Sequence, residues 1–395
     1  MRLPLLLVLP VLIVGCLLDL YIYRVARRRC RGRFLPRLQA ISAVFFQIVL
    51  LLVICWPKKS SSDEGLRTLM WILYAYSSIY VPKAIFVACD LLGKLPQLFK
   101  RARIKTLTWL GAVFGVLLFG LMWWGALINR YRVDVVDVPV AFNDLPEAFE
   151  GLRLVQISDL HVGTFGADTA FVDKLVSQIN GLKPDVVVFT GDIVNRRTDE
   201  LLPFVSVLSR IEAPMGVYSV LGNHDYGDYY RWPTEEEKEY SLQQLKGLQA
   251  DMGWKMLNNS TAWLYAGGDS IALVGVENVG DPPFTVYGDL DVAYPGDLSD
   301  DVFKVLLSHN PAHWDEDIAS APDKNIALTL SGHTHAMQME LFGVSPAVWR
   351  YPHWGGMYED NDGHRLYVNI GAGEVGIPTR IGATPELTLF TFKQR

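Results

Sequence analysis

The first third of the chain consists of long apolar stretches separated by short polar connections. The first stretch, residues 3–23, carries a single charged residue, Asp19. Each stretch reaches the length of about 20 residues with which a helix crosses the hydrocarbon core of a bilayer. The pattern predicts four helical spans, at about residues 3–23, 38–56, 66–92 and 106–127. Residues 1–128 are therefore expected to form a transmembrane region.

The period of the pattern changes after residue 128. Residues 129–139 are expected to be a short tether, and residues 140–395 alternate β-branched runs with helical patterns. Strands are predicted at 153–158, 186–190 and 217–221, with helices at 168–182 and 199–211 between them. This order is typical of a parallel sheet with right-handed crossovers. A helix is predicted at 235–248, and shorter strands at 262–265, 271–276, 302–307, 326–330, 366–370 and 387–392. The β-rich second half predicts a second sheet packed on the first.

Polar residues with metal-binding side chains follow five of the predicted strands. They are Asp159, His161, Asp192, Asn223, His309, His333 and His335. In isolation each could cap a helix or form a turn. Together, clustered carboxylates and imidazoles repel each other or lose solvation unless a cation is bound among them. The pattern therefore predicts a metal site, and seven donors favour two ions over one.

The donor types restrict the metal. Oxygen and imidazole donors suit manganese, iron or zinc. All four cysteines precede residue 133, so a zinc-thiolate site in the second part of the chain is excluded.

Charge divides the chain where hydropathy does. Residues 1–133 carry a balance of +15 and residues 134–395 a balance of −21. An acidic domain argues against nucleic acid as a partner, because phosphate backbones bind basic surfaces. Arginine and lysine fill the first and third connections, so the positive-inside rule predicts that both are cytoplasmic. The second connection, 57–65, and the acidic domain are then expected outside the cytoplasm, in a periplasm, at a cell surface or in a lumen.

Five sequence blocks carry a family resemblance. Asp159-x-His161, Gly191-Asp192, Gly222-Asn223-His224-Asp225, Ser308-His309 and Gly332-His333-x-His335 resemble the pattern of the calcineurin-like metallophosphoesterases. The closing Gly371-x-Gly373, Arg380 and Pro385-Glu386 are similar to the membrane-anchored branch of that family. The resemblance implies an α/β fold, a four-layer α-β-β-α sandwich of two packed sheets, preceded here by the four spans.

The resemblance also implies roles for the seven donors and for two neighbours. It assigns Asp159, His161, Asp192 and His335 to a first metal, and Asp192, Asn223, His309 and His333 to a second. Asp192 would bridge the two ions, which would lower the pKa of a shared water to give hydroxide for in-line attack on phosphorus. His224 would act as a non-ligand acid or charge stabiliser, and Asp225 would orient its ring.

Two further residues are candidates for substrate binding. Arg380 could contact a substrate phosphate or pair with Glu386 as a structural group. His353 belongs to an aromatic cluster with Trp349, Tyr351 and Trp354, which could pack internally or overhang the metals. If exposed, the cluster would suit a lipid or sugar substrate near a membrane surface.

The expected function is metal-dependent phosphoester hydrolysis close to the bilayer. We expect a phosphodiesterase acting on phospholipid or lipid-linked phosphates, because a short tether holds the site near lipid headgroups. The alternatives are a phosphomonoesterase or protein phosphatase of the same family, or a non-enzymatic membrane metal sensor. A transporter needs polar intramembrane lining that mostly apolar spans do not supply.

Overall fold

The computed structural model describes residues 5–55, 62–280, 285–294, 299, 301–319, 326–360 and 363–395. Most of the predicted second connection, with Trp56 before it, lies outside the described residues. The chain folds into two units. One comprises Met1–Ile128 with Gly376–Thr379, and the other comprises Asn129–Val375 with Arg380–Arg395.

The first unit contains the four predicted spans as long helices. They are α1 (Leu5–Arg29), α2 (Phe34–Cys55), α3 (Asp63–Lys94) and α4 (Lys105–Leu127). All four are long and apolar enough to cross a bilayer. The protein is therefore a membrane protein, and its observed helices extend past the predicted spans mainly into the polar residues that flank them.

Ionisable side chains in this unit face each other inside the helix bundle. Nζ of Lys83 lies 2.7 Å from Oδ1 of Asp19, and the Tyr80 hydroxyl lies 2.7 Å from the other oxygen. Asp90 is fully buried and accepts hydrogen bonds from Tyr21 and Thr108. It also pairs with Arg29, Lys94 and Arg103. Lys83 thus points inward to a carboxylate, where a snorkelling lysine would point to the bilayer surface.

The second unit contains two six-stranded sheets. Sheet A has the order β1-β12-β2-β3-β4-β5, with β2, β3, β4 and β5 parallel. Its strands are β1 (Asp134–Phe142), β2 (Arg153–Ile157), β3 (Val186–Phe189), β4 (Val217–Ser219), β5 (Trp254–Met256) and β12 (Glu386–Gln394). Sheet B has the order β10-β11-β9-β8-β7-β6. Its strands are β6 (Ser260–Ala266), β7 (Asp269–Gly275), β8 (Lys304–Leu307), β9 (Ile326–Ser331), β10 (Gly356–Glu359) and β11 (Arg365–Val368).

Alternating side chains of these strands form three apolar layers. In β3, Val186 and Val188 pack between the sheets against Leu307 and Leu330, whereas Val187 and Phe189 face the helices. The helices on sheet A are α5 (Ala170–Gly181), α6 (Val205–Leu208) and α7 (Glu235–Asp251). The outer face of sheet B is covered by α8 (Leu290–Ala293) and a π-helical turn, Trp314–Ile318. The predicted α-β-β-α sandwich of two packed sheets is confirmed.

Two local predictions differ from the structure. The tether expected at 129–139 is shorter, because residues from Asp134 onward form β1 and pair with β12 in parallel. Pro139 is tolerated there since β1 is an edge strand. The helix expected at 199–211 is mostly a 3₁₀ helix, Thr198–Phe204, because Pro203 lies inside it and cannot donate an α-helical hydrogen bond. The strands β5 and β10 were not predicted.

Candidate metal centre

Strands of both sheets bring the predicted donors to one edge of the sandwich. Asp159 and His161 follow β2, Asp192 follows β3, and His333 and His335 follow β9. The backbone of all five residues is left-handed, with φ between 44° and 73°. This conformation costs free energy in residues other than glycine and is concentrated at functional sites. Each strand therefore turns sharply at its end and directs a polar side chain inward.

Two glycines of the sequence blocks are required by close packing at this edge. A Cβ on Gly332 would lie 1.9 Å from the Ser158 hydroxyl oxygen, and one on Gly222 would lie 2.2 Å from Oδ1 of Asp192. No side chain fits at either place, so the strand ends approach one another only because these residues are glycine.

The first donor group consists of Asp159, His161 and His335, all buried. Nε2 of His161 lies 3.0 Å from Nε2 of His335, and Nε2 of His335 lies 3.3 Å from Oδ1 of Asp159. The second group consists of Asp192, His309 and His333. Nε2 of His309 lies 3.2 Å from Oδ2 of Asp192, 3.2 Å from Nδ1 of His333 and 3.1 Å from Oδ1 of Asn223.

Asp192 faces both groups with one oxygen. Its Oδ2 lies 3.2 Å from Nε2 of His309 in the second group and 3.5 Å from Nε2 of His161 in the first. Its other oxygen accepts a hydrogen bond from the backbone N–H of His224, at 2.8 Å. The carboxylate is thus fixed with one oxygen directed between the two groups.

Hydrogen bonds on the outer ring nitrogens orient the histidines. Nδ1 of His161 donates to the Val194 carbonyl at 3.1 Å, and Nδ1 of His309 donates to the Thr190 carbonyl at 2.8 Å. In the neutral form of each ring, the proton on Nδ1 leaves Nε2 with its lone pair directed inward. Such outer hydrogen bonds are typical of metal-binding histidines because they fix the ring and its tautomer.

Burial and charge separate the pKa values within the cluster. Burial raises the pKa of Asp159 to about 6 and lowers that of His161 to about 3. Burial also acts against charge on Asp192 and His309, but their mutual attraction is stronger. It holds the pKa of Asp192 well below its ordinary value and raises that of His309 to about 9. The centre therefore contains a carboxylate that stays ionised among mostly neutral imidazoles.

The donor set fits bound metal ions. Imidazole nitrogens that face each other at 3.0 Å and 3.2 Å in a buried site repel one another unless a shared proton or a cation lies between them. Both groups combine imidazole with carboxylate, which suits manganese, iron or zinc. Six donors and the amide oxygen of Asn223 could hold two ions that share Asp192.

His224 lies beside the cluster, and its ring is oriented differently from the prediction. Nδ1 donates to the Asn195 carbonyl at 2.6 Å. Asp225 does not orient this ring directly. Its carboxylate instead accepts the backbone N–H groups of Gly222, Asp192, Ile193 and Val194, at 2.8–3.3 Å. The turn after β4 directs Asp225 back to the loop after β3, so Asp225 holds the two ligand loops together.

Arg380 is fully buried, and all five of its N–H groups have acceptors. They are the carbonyls of Gly373, Ile370 and Ala383 and Nδ1 of His335. These partners occupy the Arg380 donors, so the predicted contact with a substrate phosphate stays a prediction, and the residues that the structure describes include no direct ion pair between Arg380 and Glu386. Nδ1 of His335 lies 3.1 Å from Nη2 of Arg380, and Nε2 is the nitrogen that faces Asp159.

His353 pairs with Asp315 at 2.9 Å. It lines a cavity of about 160 Å³ together with Arg350 and Tyr351. Its predicted role in substrate binding stays a prediction.

Two contributions to the site were not predicted from the sequence. Tyr229 stacks on the His224 ring with centroids 4.1 Å apart, and its hydroxyl accepts from Nδ2 of Asn223, which turns the amide oxygen toward His309. The second is the Asn195 carbonyl, a backbone group that no side-chain pattern reveals. Tyr351, a member of the predicted aromatic cluster, lies 2.8 Å from Nε2 of His333.

Comparisons with known proteins agree with this arrangement. Residues 152–337 match the profile of the family described as calcineurin-like phosphoesterase. Residues 1–130 match that of a probable calcineurin-like phosphoesterase, transmembrane domain. The chain belongs to the calcineurin-like phosphoesterase family. As a member it is a dimetal phosphohydrolase, and the profile that covers residues 1–130 agrees with its four apolar helices.

Relatives of this phosphoesterase include a transmembrane protein and a pyrophosphatase. A transmembrane protein with metallophosphoesterase domain from Danio rerio is 28% identical over 95% of this chain and 86% of that protein. The UDP-2,3-diacylglucosamine pyrophosphatase LpxG from Chlamydia trachomatis is 41% identical over 26% of this chain and 32% of that protein. The solved structure of a phosphopantetheinyl hydrolase from Mycobacterium tuberculosis has 15% identity and a TM-score of 0.35, and it covers 58% of this chain and 91% of that one.

Proposed function

We propose that this phosphohydrolase is a phosphodiesterase that acts on phospholipid or lipid-linked phosphates outside the cytoplasm. The observation that carries the proposal is the position of Asp192, whose Oδ2 lies within 3.5 Å of a histidine from each donor group. A shared carboxylate of this kind is what a two-ion phosphoester site requires.

The ligand roles in this proposal follow the two donor groups. Asp159, His161, Asp192 and His335 hold the first ion, and Asp192, Asn223, His309 and His333 hold the second. When bound, two ions of manganese, iron or zinc lower the pKa of a water molecule and polarise phosphoryl oxygens. The chain itself fixes these donors by the outer hydrogen bonds of the histidines, which limits the positions that a phosphate can take.

His224 is proposed as the residue that transfers a proton to the leaving oxygen. The Asn195 carbonyl holds the proton on Nδ1, so Nε2 is the nitrogen available for exchange. The ring is fixed by stacking on Tyr229 and by edge contact with His161, at 4.8 Å between centroids. A ring held this firmly presents one nitrogen in one direction, as general acid catalysis needs.

The lipid-linked substrate class is supported by the anchor and by one relative. Only residues 128–133 connect α4 to β1, which is a reach of about 20 Å at full extension. A relative with 41% identity over part of the chain is described as hydrolysing a diacylated sugar nucleotide pyrophosphate. The extracytoplasmic side is supported by the basic first and third connections. A reporter enzyme that is active only outside the cytoplasm, fused after residue 395, tests the side, and a silent reporter contradicts it.

The catalytic proposal is tested with the full chain in detergent micelles, loaded with Mn²⁺, on an aryl phosphodiester and the matching monoester. We expect diester hydrolysis, loss of both activity and metal in Asp192→Ala, and loss of activity alone in His224→Ala. The loss in His224→Ala is expected to be about 10²–10⁴-fold. Cleavage of the monoester only would contradict the phosphodiesterase assignment. Metal bound at full stoichiometry by Asp192→Ala would contradict the shared carboxylate.

A further inference from the structure

The segment that follows the last two histidine ligands exposes a series of apolar side chains. We name residues 337–349 the apolar loop. Its exposed large side chains are Met337, Met339, Leu341, Phe342, Val344, Val348 and Trp349. Phe342 is fully exposed, and Trp349 is 87% exposed. The loop contains one charged residue, Glu340, which is half-buried. Contiguous exposed apolar surface of this kind marks an interaction site.

The backbone of the apolar loop holds Phe342 outward at an energetic cost. Leu341 and Val344 exchange two backbone hydrogen bonds, at 3.0 Å and 3.1 Å, around a tight turn. Both turn residues are left-handed, with φ of 55° at Phe342 and 78° at Gly343. A bulky residue is unfavourable in the left-handed region, and a strained, exposed phenylalanine is a pointer to function.

The base of the apolar loop is held in place by hydrogen bonds and by a buried side chain. The Ser345 hydroxyl donates to the Ala336 carbonyl at 2.5 Å, and Ala347 is fully buried. Oε1 of Gln338 accepts from the N–H of Val375 at 2.7 Å. The exposed side chains therefore stand on an ordered support, which distinguishes them from those of an unstructured surface segment.

Both ends of the apolar loop meet the metal centre. His335, in the first donor group, lies two residues before the loop. Tyr351 lies two residues after it and contacts His333 of the second group. The exposed tip of the loop is therefore connected to both donor groups by only a few residues on each side.

A lipid surface is the occupant that these observations favour. The same chain carries four membrane helices, with at most six residues between α4 and β1. Trp349 followed by Arg350 is a pair typical of the boundary between headgroups and acyl chains, where indole and guanidinium groups are enriched.

We propose that the apolar loop inserts into the bilayer surface and presents lipid-borne phosphoesters to the metal centre. The second half of this inference rests on the proposed function, whereas the insertion does not. Loops and helices that bury apolar side chains at the headgroup boundary bind in proportion to the apolar area that they bury.

Insertion is tested without any catalytic readout. The four cysteines, all in the first unit, are replaced by serine in the full chain, and an environment-sensitive fluorophore is attached to Phe342→Cys or Trp349→Cys. Tyr265→Cys is the matched control, because Tyr265 is 72% exposed on β6 and lies outside the loop. The proteins are placed in nanodiscs of equal parts phosphatidylcholine and phosphatidylglycerol, with or without lipid that carries a nitroxide in its acyl chain.

We expect blue-shifted emission and nitroxide quenching at 342 and 349 and neither effect at 265. A water-exposed label at both loop positions overturns the proposal. Equal quenching at all three positions also overturns it, since the effect would not be specific to the loop. A label that is shielded from water but not quenched by nitroxide lipid overturns it as well, because a second copy of the chain or another protein would then cover the loop.

Substrate presentation is tested with two aryl phosphodiesters that differ only in the second ester group, a long alkyl chain or methyl. Phe342→Asp is expected to lower the ratio of alkyl to methyl ester turnover in nanodiscs about tenfold, the loss that corresponds to one buried aromatic side chain. Phe342→Tyr is the control that keeps the ring. An unchanged ratio in Phe342→Asp overturns presentation. Absence of turnover on both esters in the unsubstituted chain contradicts the proposed function, and the fluorescence result stands separately.

Discussion

The phenolic oxygen of Tyr351 lies 2.8 Å from Nε2 of His333, whose Nδ1 faces His309 at 3.2 Å. With Nδ1 directed at the second donor group, the proton of the neutral ring is on Nε2, and Tyr351 accepts it. Tyr351 is 9% exposed and is held by a 2.8 Å backbone hydrogen bond to Ala347. It is therefore a positioning residue for His333.

The substitution Tyr351→Phe removes the acceptor and keeps the ring. We expect the affinity for the second metal ion to fall about 10- to 100-fold, as is usual when the partner of a ligating histidine is removed. Titration calorimetry of the full chain with Mn²⁺ measures this, since the first ion should bind with its affinity little changed. Tyr358→Phe is the control, because its hydroxyl accepts from the backbone N–H groups of Trp354 and Gly355. Equal effects from both variants would contradict the assignment.

Asp225 stabilises the site through backbone groups. In the native chain, both oxygens of the Asp225 carboxylate accept hydrogen bonds from backbone N–H groups. Asp225→Asn replaces one of these oxygens with an NH₂ group, which cannot accept, so at least one buried N–H group loses its partner. The expected loss of stability is about 3 kcal/mol, with weaker metal binding because Asp192 is displaced. Thermal unfolding and metal titration measure the two effects, and Asp228→Asn, which alters an exposed pair with Lys238, is the control. A variant that is fully stable but has a shifted pH–rate profile would instead favour direct orientation of His224.

The ion pair of Asp19 and Lys83 is expected to stabilise the helix bundle. Lys83→Met leaves a buried carboxylate without its cation, which should cost about 3–5 kcal/mol. Asp19→Leu should cost a similar amount. The double variant should be less destabilised than the sum of both, because it removes both charges together. Thermal unfolding of the unsubstituted chain, the two single variants and the double variant in one detergent gives the coupling energy of the pair. Additive losses of stability would contradict a stabilising interaction between the two residues.

Acid sensitivity is expected to arise in part from His313. Burial lowers the pKa of His313 to about 4, against an ordinary value of 6.5, although Asp317 at 3.4 Å acts in the opposite direction. Between pH 6.5 and 4 the unfolded chain binds a proton here that the folded chain does not, so stability falls as the pH falls.

His313→Gln removes this proton uptake and keeps a polar group near Ser308, whose hydroxyl lies 2.9 Å from Nδ1. Thermal unfolding of the metal-free full chain, measured between pH 6.5 and 4, gives the dependence of the unfolding free energy on pH. In the variant, the slope of this dependence should be smaller by the equivalent of up to one bound proton. His364→Gln is the comparison, because the His364 ring is more exposed than that of His313 and also pairs with an aspartate, Asp360. Identical slopes in His313→Gln and the unsubstituted chain would exclude His313 as a source of the sensitivity.

The sequence predicted that the donor side chains come together because the ends of buried strands can be recognised in a sequence. A buried β-branched run identifies a strand, and the parallel order brings Asp159, Asp192 and His333 to one edge without any knowledge of distances. The pattern could not predict that Arg380 is buried, since arginine is usually exposed and only the carbonyls around it compensate its charge. Asp225 was misjudged because its neighbour in sequence, His224, is not its neighbour in hydrogen bonding. The strand β1 was missed because Pro139 and two aspartates obscure its alternation.

Strand β12 lies between β1 and β2, with residues of β1 paired to it on one side and residues of β2 on the other. Protein synthesis is vectorial, so β1 and β2 leave the ribosome long before residues 386–394 exist to join them. Until then the neighbouring strands present open edges, and Asp159 at the end of β2 has no completed sheet beside it. Maturation of the metal centre is therefore a late event in the life of the nascent chain, and chaperone protection of those edges would act before any metal is loaded.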